Sequence, residues 1–227
     1  MKPKITFFID FDNTLIDNDK VKKQIAKIIS KKYGRNFTNR FLEINKKLRD
    51  EKGYVDFPAT IAQIAREENK RSFSTNNPKV THELHDLFHN FKFNNCLFDK
   101  VEEVIRHLAT FGAVIIITEG DRHYQEIKIR NTGIWNLVVG KVEIPLKDKI
   151  AHFPKFLKKY PSDIYYFIED KPEVLRKIGD LYGGKIKTIH VCQGHYSPIC
   201  QMGIFDLTVK LIKDLLGISF PLKPESS

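Results

Sequence analysis

The sequence predicts an α/β protein, a doubly wound parallel sheet interrupted early by a helical insertion. Three observations lead there. Short apolar runs rich in Ile and Val recur at residues 4–9, 113–118, 137–144, 164–168 and 186–191, and runs that are apolar on both faces belong to parallel sheets covered by helices. From Lys100 onward these runs alternate with amphipathic stretches, the order that builds a parallel sheet with helical crossovers. Between the first run and the second lies a long segment with no strand signal, far beyond an ordinary connection.

In order along the chain, the first strand (4–9) ends in "IDFDNTLID", which delivers Asp10 and Asp12 to one end of a buried strand. The long segment then reads as helices over 18–33, 39–52, 57–68 and 78–91, separated by the turn-forming "YGRN", "EKGYVDF" and "STNNP". Val21, Ile25, Ile28 and Ile29 make an apolar stripe on the first of these helices, and such a stripe has to be buried. The flanks "LIDND" and "FNNCLF" carry the Asp and Asn of hinge-like turns. The division expected is therefore a core of residues 1–17 and 96–227, with an α-helical cap of residues 18–95. In the core, helical patterns fall at 101–111, 124–131, 150–160 and 172–181, with Gly112 and Gly133 placed where helices stop.

Composition narrows the function classes. Lys+Arg 38 against Asp+Glu 28 gives a net charge of +10, an excess that favours anionic partners without choosing among phosphorylated metabolites, nucleic acid and membrane surface. The lysines are spread in pairs such as Lys22-Lys23 and Lys158-Lys159, the pattern of solvated helix faces. Aromatic and basic residues are not interleaved on a platform, so nucleic acid is not the expected partner. No apolar run reaches the length of a membrane span, and the first apolar run is broken by Asp10 and Asp12, unlike a signal peptide. The three cysteines, Cys96, Cys192 and Cys200, make no even disulfide framework, so a reducing, cytoplasmic setting is expected. Oligomeric state is not legible in the sequence.

The chemistry is carried by strand ends. In a parallel sheet the carboxyl ends share one edge, where ligands bind, so Asp10, Asp12, Thr118 and Asp170 should converge there. Two carboxylates one residue apart repel each other, and a crevice of carboxylates calls for a hard cation; oxygen-only ligands suit Mg²⁺. An Asp beside Mg²⁺ can attack phosphorus to give an aspartyl-phosphate.

These stretches resemble the motifs of the haloacid dehalogenase-like (HAD) superfamily in order and spacing: Asp10-Phe11-Asp12-Asn13-Thr14 as motif I, "IIIITEGD" ending its strand in Thr118 as motif II, and "YYFIEDKPEVL" with Glu169-Asp170 as motif IV. The resemblance covers most of the chain, and the helical insertion sits where type 1 caps sit on the Rossmann-like core. It implies that Asp10 is the nucleophile and a Mg²⁺ ligand. Asp12 would offer its backbone carbonyl to the metal and its side chain as general acid, then base. Thr118, with the backbone amides of Glu119 and Gly120 and with Asn13, would hold phosphoryl oxygens. Asp170 would complete the metal site, with Glu169 a ligand or a supporting neighbour. Haloacid dehalogenases lack an acid at the position of Asp12 and P-type ATPases carry Thr there, so Asp12 points to the phosphatase and phosphomutase branch. The motif III lysine is Lys149 or Lys147, with Lys149 favoured because it immediately precedes an apolar helix face.

The expectation is a Mg²⁺-dependent phosphatase acting on a small phosphorylated metabolite. The alternatives are a phosphomutase of the same fold and a non-catalytic binding or regulatory protein on this scaffold. Arg35, Tyr54 and Asp56 in the cap turns, and Arg122, His123 and Tyr124 after motif II, are candidates to contact substrate. "HVCQGHYSPIC" offers a mixed His/Cys set that could hold zinc, but its spacing matches no standard finger, and it reads as a core strand running into a loop. "RSFSTNNP" reads as Ser/Asn/Pro turn chemistry rather than as a phosphorylation loop.

Overall fold

The structure is a computed structural model that describes residues 3–71, 78–200 and 203–222. Strand β1 (Ile5–Asp10) is buried along its whole length because both its faces are apolar and both are covered. Phe7 and Ile9 face one core with Ile116, Tyr166 and Ile168, while Phe8 faces the other with Ile115, Phe153 and Phe167. That is the period-2 alternation of a strand with helices on each side. Phe8 shows what the packing is worth: it stacks on Tyr165 at 5.9 Å and meets the edge of Phe153 at 5.5 Å, so Phe8→Ala costs about 3–5 kcal/mol.

The insertion follows β1 as four helices: α1 (Asn18–Tyr33), α2 (Arg35–Lys52), α3 (Phe57–Arg71) and α4 (Pro78–Asn90). The core then runs α5 (Val101–Ala109), β2 (Ala113–Ile117), α6 (Arg122–Asn131), α7 (Ile134–Leu137) and β3 (Val142–Glu143). It ends with α8 (Phe153–Lys159), β4 (Ile164–Glu169), α9 (Pro172–Tyr182), β5 (Ile186–Val191) and β6 (Leu207–Val209). The six strands are parallel in the order β3-β2-β1-β4-β5-β6. Chain order reverses between β1 and β4, so the sheet has its switch point there. The register pairs Asp10 with Ile117 and Ile9 with Ile168, which brings the ends of β1, β2 and β4 to one level. Gly112 makes the α5–β2 turn possible: a Cβ there would lie 2.1 Å from the Ile5 carbonyl oxygen.

Three of the inserted helices, α2, α3 and α4, share an aromatic core. Phe57 lies 4.3 Å from Phe88 and 4.7 Å from Tyr124 of α6, and Phe41 flanks both phenylalanines. Polar ties join α2 to α3, Arg40 to Glu67 at 2.7 and 2.9 Å, and α1 to α4, Tyr33 to Glu83 at 2.5 Å. On α1, Val21, Ile25 and Ile29 are buried as the stripe requires, but Ile28 is 43% exposed.

Several sequence expectations are corrected. The strand expected over 137–144 is only Val142–Glu143. Ile134–Leu137 is a helical turn, and the chain then reverses through Val139 and Gly140, both at positive φ. A short apolar run does not distinguish helix from strand. The helix expected at 150–160 is a 3₁₀ turn, Lys149–His152, followed by the shorter α8. Helix α2 starts earlier than expected, at Arg35, and β6 was not expected at all. The cysteines do make a disulfide, between Cys192 and Cys200, leaving Cys96 buried and unbonded to sulfur. The chain leaving β5 doubles back and brings the two Cα atoms to 5.1 Å. Most of the turn "RSFSTNNP" lies outside the described residues. Among the described residues no helix is long and apolar enough to cross a membrane.

Candidate active site

Asp10, the last residue of β1, is 4% exposed. Beside it lies the Lys149 ammonium, itself 2% exposed, which donates to Asp10 Oδ1 at 2.5 Å and to Glu169 Oε2 at 2.5 Å. The lysine reaches this point because its own 3₁₀ turn is pinned: its backbone N–H donates to Glu119 Oε1 at 2.6 Å, and Asp148 caps the turn at Ala151. Lys147, two residues earlier, is exposed and points elsewhere, with its Nζ 5.8 Å from the Tyr54 ring. Of the two lysines, Lys149 alone touches Asp10.

Asp12 has a cation of its own. Helix α6 is capped by Asp121, whose side chain accepts from the Tyr124 N–H. One turn in, Gln125 and Lys128 fall on the buried face because residues three apart share a side of a helix. Gln125 Nε2 donates to Asp12 Oδ2 at 2.9 Å and to the Glu119 carbonyl at 2.8 Å. Lys128 Nζ donates to Asp12 Oδ1 and to Asn18 Oδ1, and lies over the Phe11 and Tyr124 rings. Asp10 and Asp12 are thus each offset by a lysine of their own, Lys149 and Lys128.

The third group is the acidic cluster at the end of β4. Oxygens of Asp10, Glu169 and Asp170 lie within 4.8 Å of one another, all three residues buried. Burial, then the Glu169 charge, raises the Asp10 pKa to about 7 against the pull of Lys149. Burial, then Glu169 and Asp10, raises that of Asp170 to about 10. Burial also pushes Glu169 up, but Lys149 and Lys171 outweigh it and hold that carboxyl below its ordinary range. At Asp12 the lysine likewise outweighs burial and keeps the carboxylate ionised. Thr14 donates to Asp170 Oδ1 at 3.3 Å, whereas Asp170 Oδ2 is buried without a hydrogen-bond partner among the described residues. An orphaned carboxylate oxygen beside two more carboxylates is a donor set short of positive charge. Its all-oxygen chemistry fits Mg²⁺.

This has a measurable consequence. Below about pH 4 both folded and unfolded chains hold the Asp170 proton, and above that the unfolded chain ionises while the metal-free fold does not. Stability of the metal-free fold therefore contains a term that falls as pH rises. Divalent-cation binding requires the ionised form, so its benefit grows in the same direction. The Tm increment produced by Mg²⁺ should increase between about pH 5.5 and pH 8, and an increment that is flat or falls with pH would contradict this assignment.

Above these groups opens a cavity of ≈ 250 Å³. Its floor carries Asp10, Asp12, Asn13, Thr118 and Glu119, and its opposite wall carries Asn45 and Arg49 from α2 and Tyr54 from the turn after it. Gly120 is not on the wall, and its N–H is taken by the Pro145 carbonyl at 3.2 Å. Glu169 and Asp170 lie against Asp10 rather than on the wall. Of the substrate-contact candidates, Tyr54 and Tyr124 line the cavity. Arg35 is exposed at the start of α2, Arg122 pairs with Glu126 and His123 lies against His89. Asp56 serves the fold, accepting from the Ala59 N–H and from Lys52. Sequence reasoning missed Gln125, Lys128, Asn18 and Lys171. For the first two a signal existed: "YQEIK" puts polar side chains on the stripe that Tyr124 and Ile129 mark as buried.

The parallel sheet and a carboxylate cluster at its switch point define a Rossmann-like α/β protein with an acidic site at the sheet edge. The family profile for haloacid dehalogenase-like hydrolases matches residues 6–188, and the chain belongs to that family. Among solved structures it is similar to a haloacid dehalogenase-like hydrolase from Burkholderia xenovorans, at 26% identity and a TM-score of 0.81 over 95% of this chain and 96% of that one. A magnesium-bound HAD hydrolase from Bacillus subtilis shares the fold at 15% identity, TM-score 0.60, over 95% and 98% of the two chains. So does the L-2-haloacid dehalogenase of Xanthobacter autotrophicus with chloropropionic acid covalently bound, at 13% identity and TM-score 0.55 over 96% and 98%. No curated protein matches the sequence significantly.

Proposed function

We propose that this chain is a Mg²⁺-dependent phosphatase of small phosphorylated metabolites that works through an aspartyl-phosphate on Asp10. The observation that carries the reading is the Asp12 carboxylate, held on the cavity floor next to Asp10 by Gln125 and Lys128. A carbon–halogen bond leaves as halide and needs no proton, so a built carboxylate there serves an oxygen leaving group.

Asp10 attacks phosphorus as the ester P–O bond breaks, and the departing oxygen takes a proton from Asp12. Lys128 keeps Asp12 ionised at rest. The proton therefore arrives with the substrate, whose phosphate has a second pKa of about 6. In the second half Asp12 takes a proton from water as water attacks the aspartyl-phosphate, and inorganic phosphate leaves. Thr118 and Asn13 stand at the cavity floor to orient phosphoryl oxygens. Lys149 offsets the charge of Asp10, and Glu169, bonded to that lysine, holds it in place. Mg²⁺ would be held by the Asp10 and Asp170 carboxylates and the Asp12 backbone carbonyl, where it supplies positive charge against the transferring phosphoryl group.

Residues 18–95, which carry the inserted helices, act in this reading as a cap over the core, with Asn45, Arg49 and Tyr54 contacting the rest of the substrate. Removing a hydrogen bond to a charged group costs about 1.5–3 kcal/mol. Arg49→Ala should thus raise KM for the best natural substrate about tenfold or more, with little change for p-nitrophenyl phosphate. Equal effects on both would remove Arg49 from the specificity surface.

The experiment is turnover of p-nitrophenyl phosphate and a phosphometabolite panel with Mg²⁺, before and after exhaustive EDTA treatment, beside a panel of 2-haloacids. The reading expects phosphate release that EDTA abolishes. Activation by a sugar bisphosphate would move it to a phosphomutase, and halide release without phosphate release would move it to a dehalogenase.

A further inference from the structure

Beyond the carboxylates, the structure assembles a second cluster of donors of a different chemical kind. Strand β5 ends at Val191 and the chain returns through the 3₁₀ turn Gly194–Ile199, so that Cys200 comes back to Cys192. His190, fully buried, completes the group: one ligand atom from each of His190, Cys192 and Cys200 lies within 4.8 Å of the others. The imidazole is already oriented. Its Nε2 lies 3.2 Å from the Asp170 carbonyl oxygen, to which it donates, which leaves the Nδ1 lone pair facing Cys192 Sγ at 3.6 Å. A ring fixed from behind by a backbone carbonyl, with its free nitrogen toward two sulfurs, is the arrangement that sets the tautomer of a metal-bound histidine.

We propose that His190, Cys192 and Cys200 form a second metal site, for a borderline-soft cation of the zinc class, in the dithiol form of the chain. The set is nitrogen and sulfur, whereas Asp10, Glu169 and Asp170 are all oxygen, so the two clusters sort soft from hard cations. A tetrahedral zinc site with metal–sulfur bonds near 2.3 Å spaces its donors roughly 3.3–3.8 Å apart, and the three ligand atoms here lie within 4.8 Å of one another. Disulfide and metal exclude each other. A dithiol reductant breaks the Cys192–Cys200 bond by exchange; its own two sulfurs join, its two protons pass to the cysteines, and cation binding then releases both protons to solvent. Either clasp closes the same loop. That loop carries His195 and Tyr196, which line the main cavity, and it begins with Gln193, whose side chain donates to the Thr14 carbonyl at 2.8 Å. The clasp thus holds a wall of the cavity against the segment that bears Asp10 and Asp12.

The test is Co²⁺ titration of the reduced full chain in excess Mg²⁺, read by thiolate-to-cobalt charge-transfer absorption. The expected result is a band that saturates at one equivalent, is abolished by Zn²⁺, persists in Asp10→Asn and is lost in Cys192→Ser and Cys200→Ser. Because either serine variant could lose the band by misfolding, thiol alkylation of the wild-type chain supplies a second reading. Zn²⁺ should slow modification of Cys192 and Cys200 at least tenfold and leave Cys96 unchanged. Absence of the band, its survival in both serine variants, or unprotected Cys192 and Cys200 would overturn the proposal. Loss of phosphatase activity alone would not touch it, since the readouts are independent of turnover.

Discussion

Asp10→Asn should abolish phosphomonoester turnover, with kcat falling by roughly 10⁴-fold or more. The amide is a poor nucleophile and a weaker partner for a cation. It cannot be replaced by a neighbour, because Glu169 is held by Lys149 and by the Lys171 N–H, and Asp12 by Lys128 and Gln125. The substitution should be mild for the fold. It removes one of three mutually repelling carboxylates from a buried crevice, and the asparagine oxygen can still accept from Lys149. Lost activity with an unchanged or raised Tm is therefore the signature expected of a chemical role. Substantial residual turnover in Asp10→Asn, at a rate deamidation of the asparagine cannot explain, would place the nucleophile elsewhere.

Lys149→Met should damage both fold and chemistry. Lys149 is 2% exposed, and its two partners Asp10 and Glu169 are buried with it. Its burial works against the ammonium, yet the two carboxylates together hold its pKa above the ordinary lysine value. Removing one partner of a buried pair leaves the others as uncompensated charge, at a cost of about 3–5 kcal/mol. Urea unfolding without Mg²⁺ should show a loss of that size, partly recovered by Mg²⁺. Loss of one preorganised positive group near the transferring phosphoryl should lower kcat by about 10²–10³-fold. Lys147→Met is the control: exposed at the surface, it should stay within about 0.5 kcal/mol of the parent. A smaller effect at Lys149 than at Lys147 would reverse the assignment of the two lysines.

The parts of this architecture that were legible share a physical property. β1, β2 and β4 are buried on two faces, so each is a mostly apolar run, and Asp10, Thr118 and Asp170 stand out at strand ends because an acid or hydroxyl interrupts such a run there. The long insertion was visible from length alone. The parts that were not legible depend on tertiary geometry. Residues 137–144 are rich in Leu, Val and Ile, but they form a helical turn and a reversal through Val139 and Gly140 that leaves Val139 exposed, and composition is the same for either. Lys128 looks like one more surface lysine in a chain rich in them; only the rotation of α6 against β1 turns it onto Asp12. The pairing of Cys192 with Cys200 depends on how the chain leaves β5. Three cysteines say nothing of that, and the same blindness hid the approach of His190 to both sulfurs.

The account stands on a covalent phosphoryl group at Asp10, and it can be looked for directly. Asp12→Asn keeps the nucleophile but loses the base that activates water, so phosphoenzyme formed from a substrate with a good leaving group should accumulate. The measurement is rapid acid quench of Asp12→Asn with p-nitrophenyl phosphate and Mg²⁺, followed by peptide mass spectrometry. The account predicts one phosphoryl group on the peptide that contains Asp10, absent when Mg²⁺ is removed and absent in an Asp10→Asn control. A phosphoryl group on another residue, or continued phosphate release by the wild-type chain with no phosphopeptide in any variant, would contradict it.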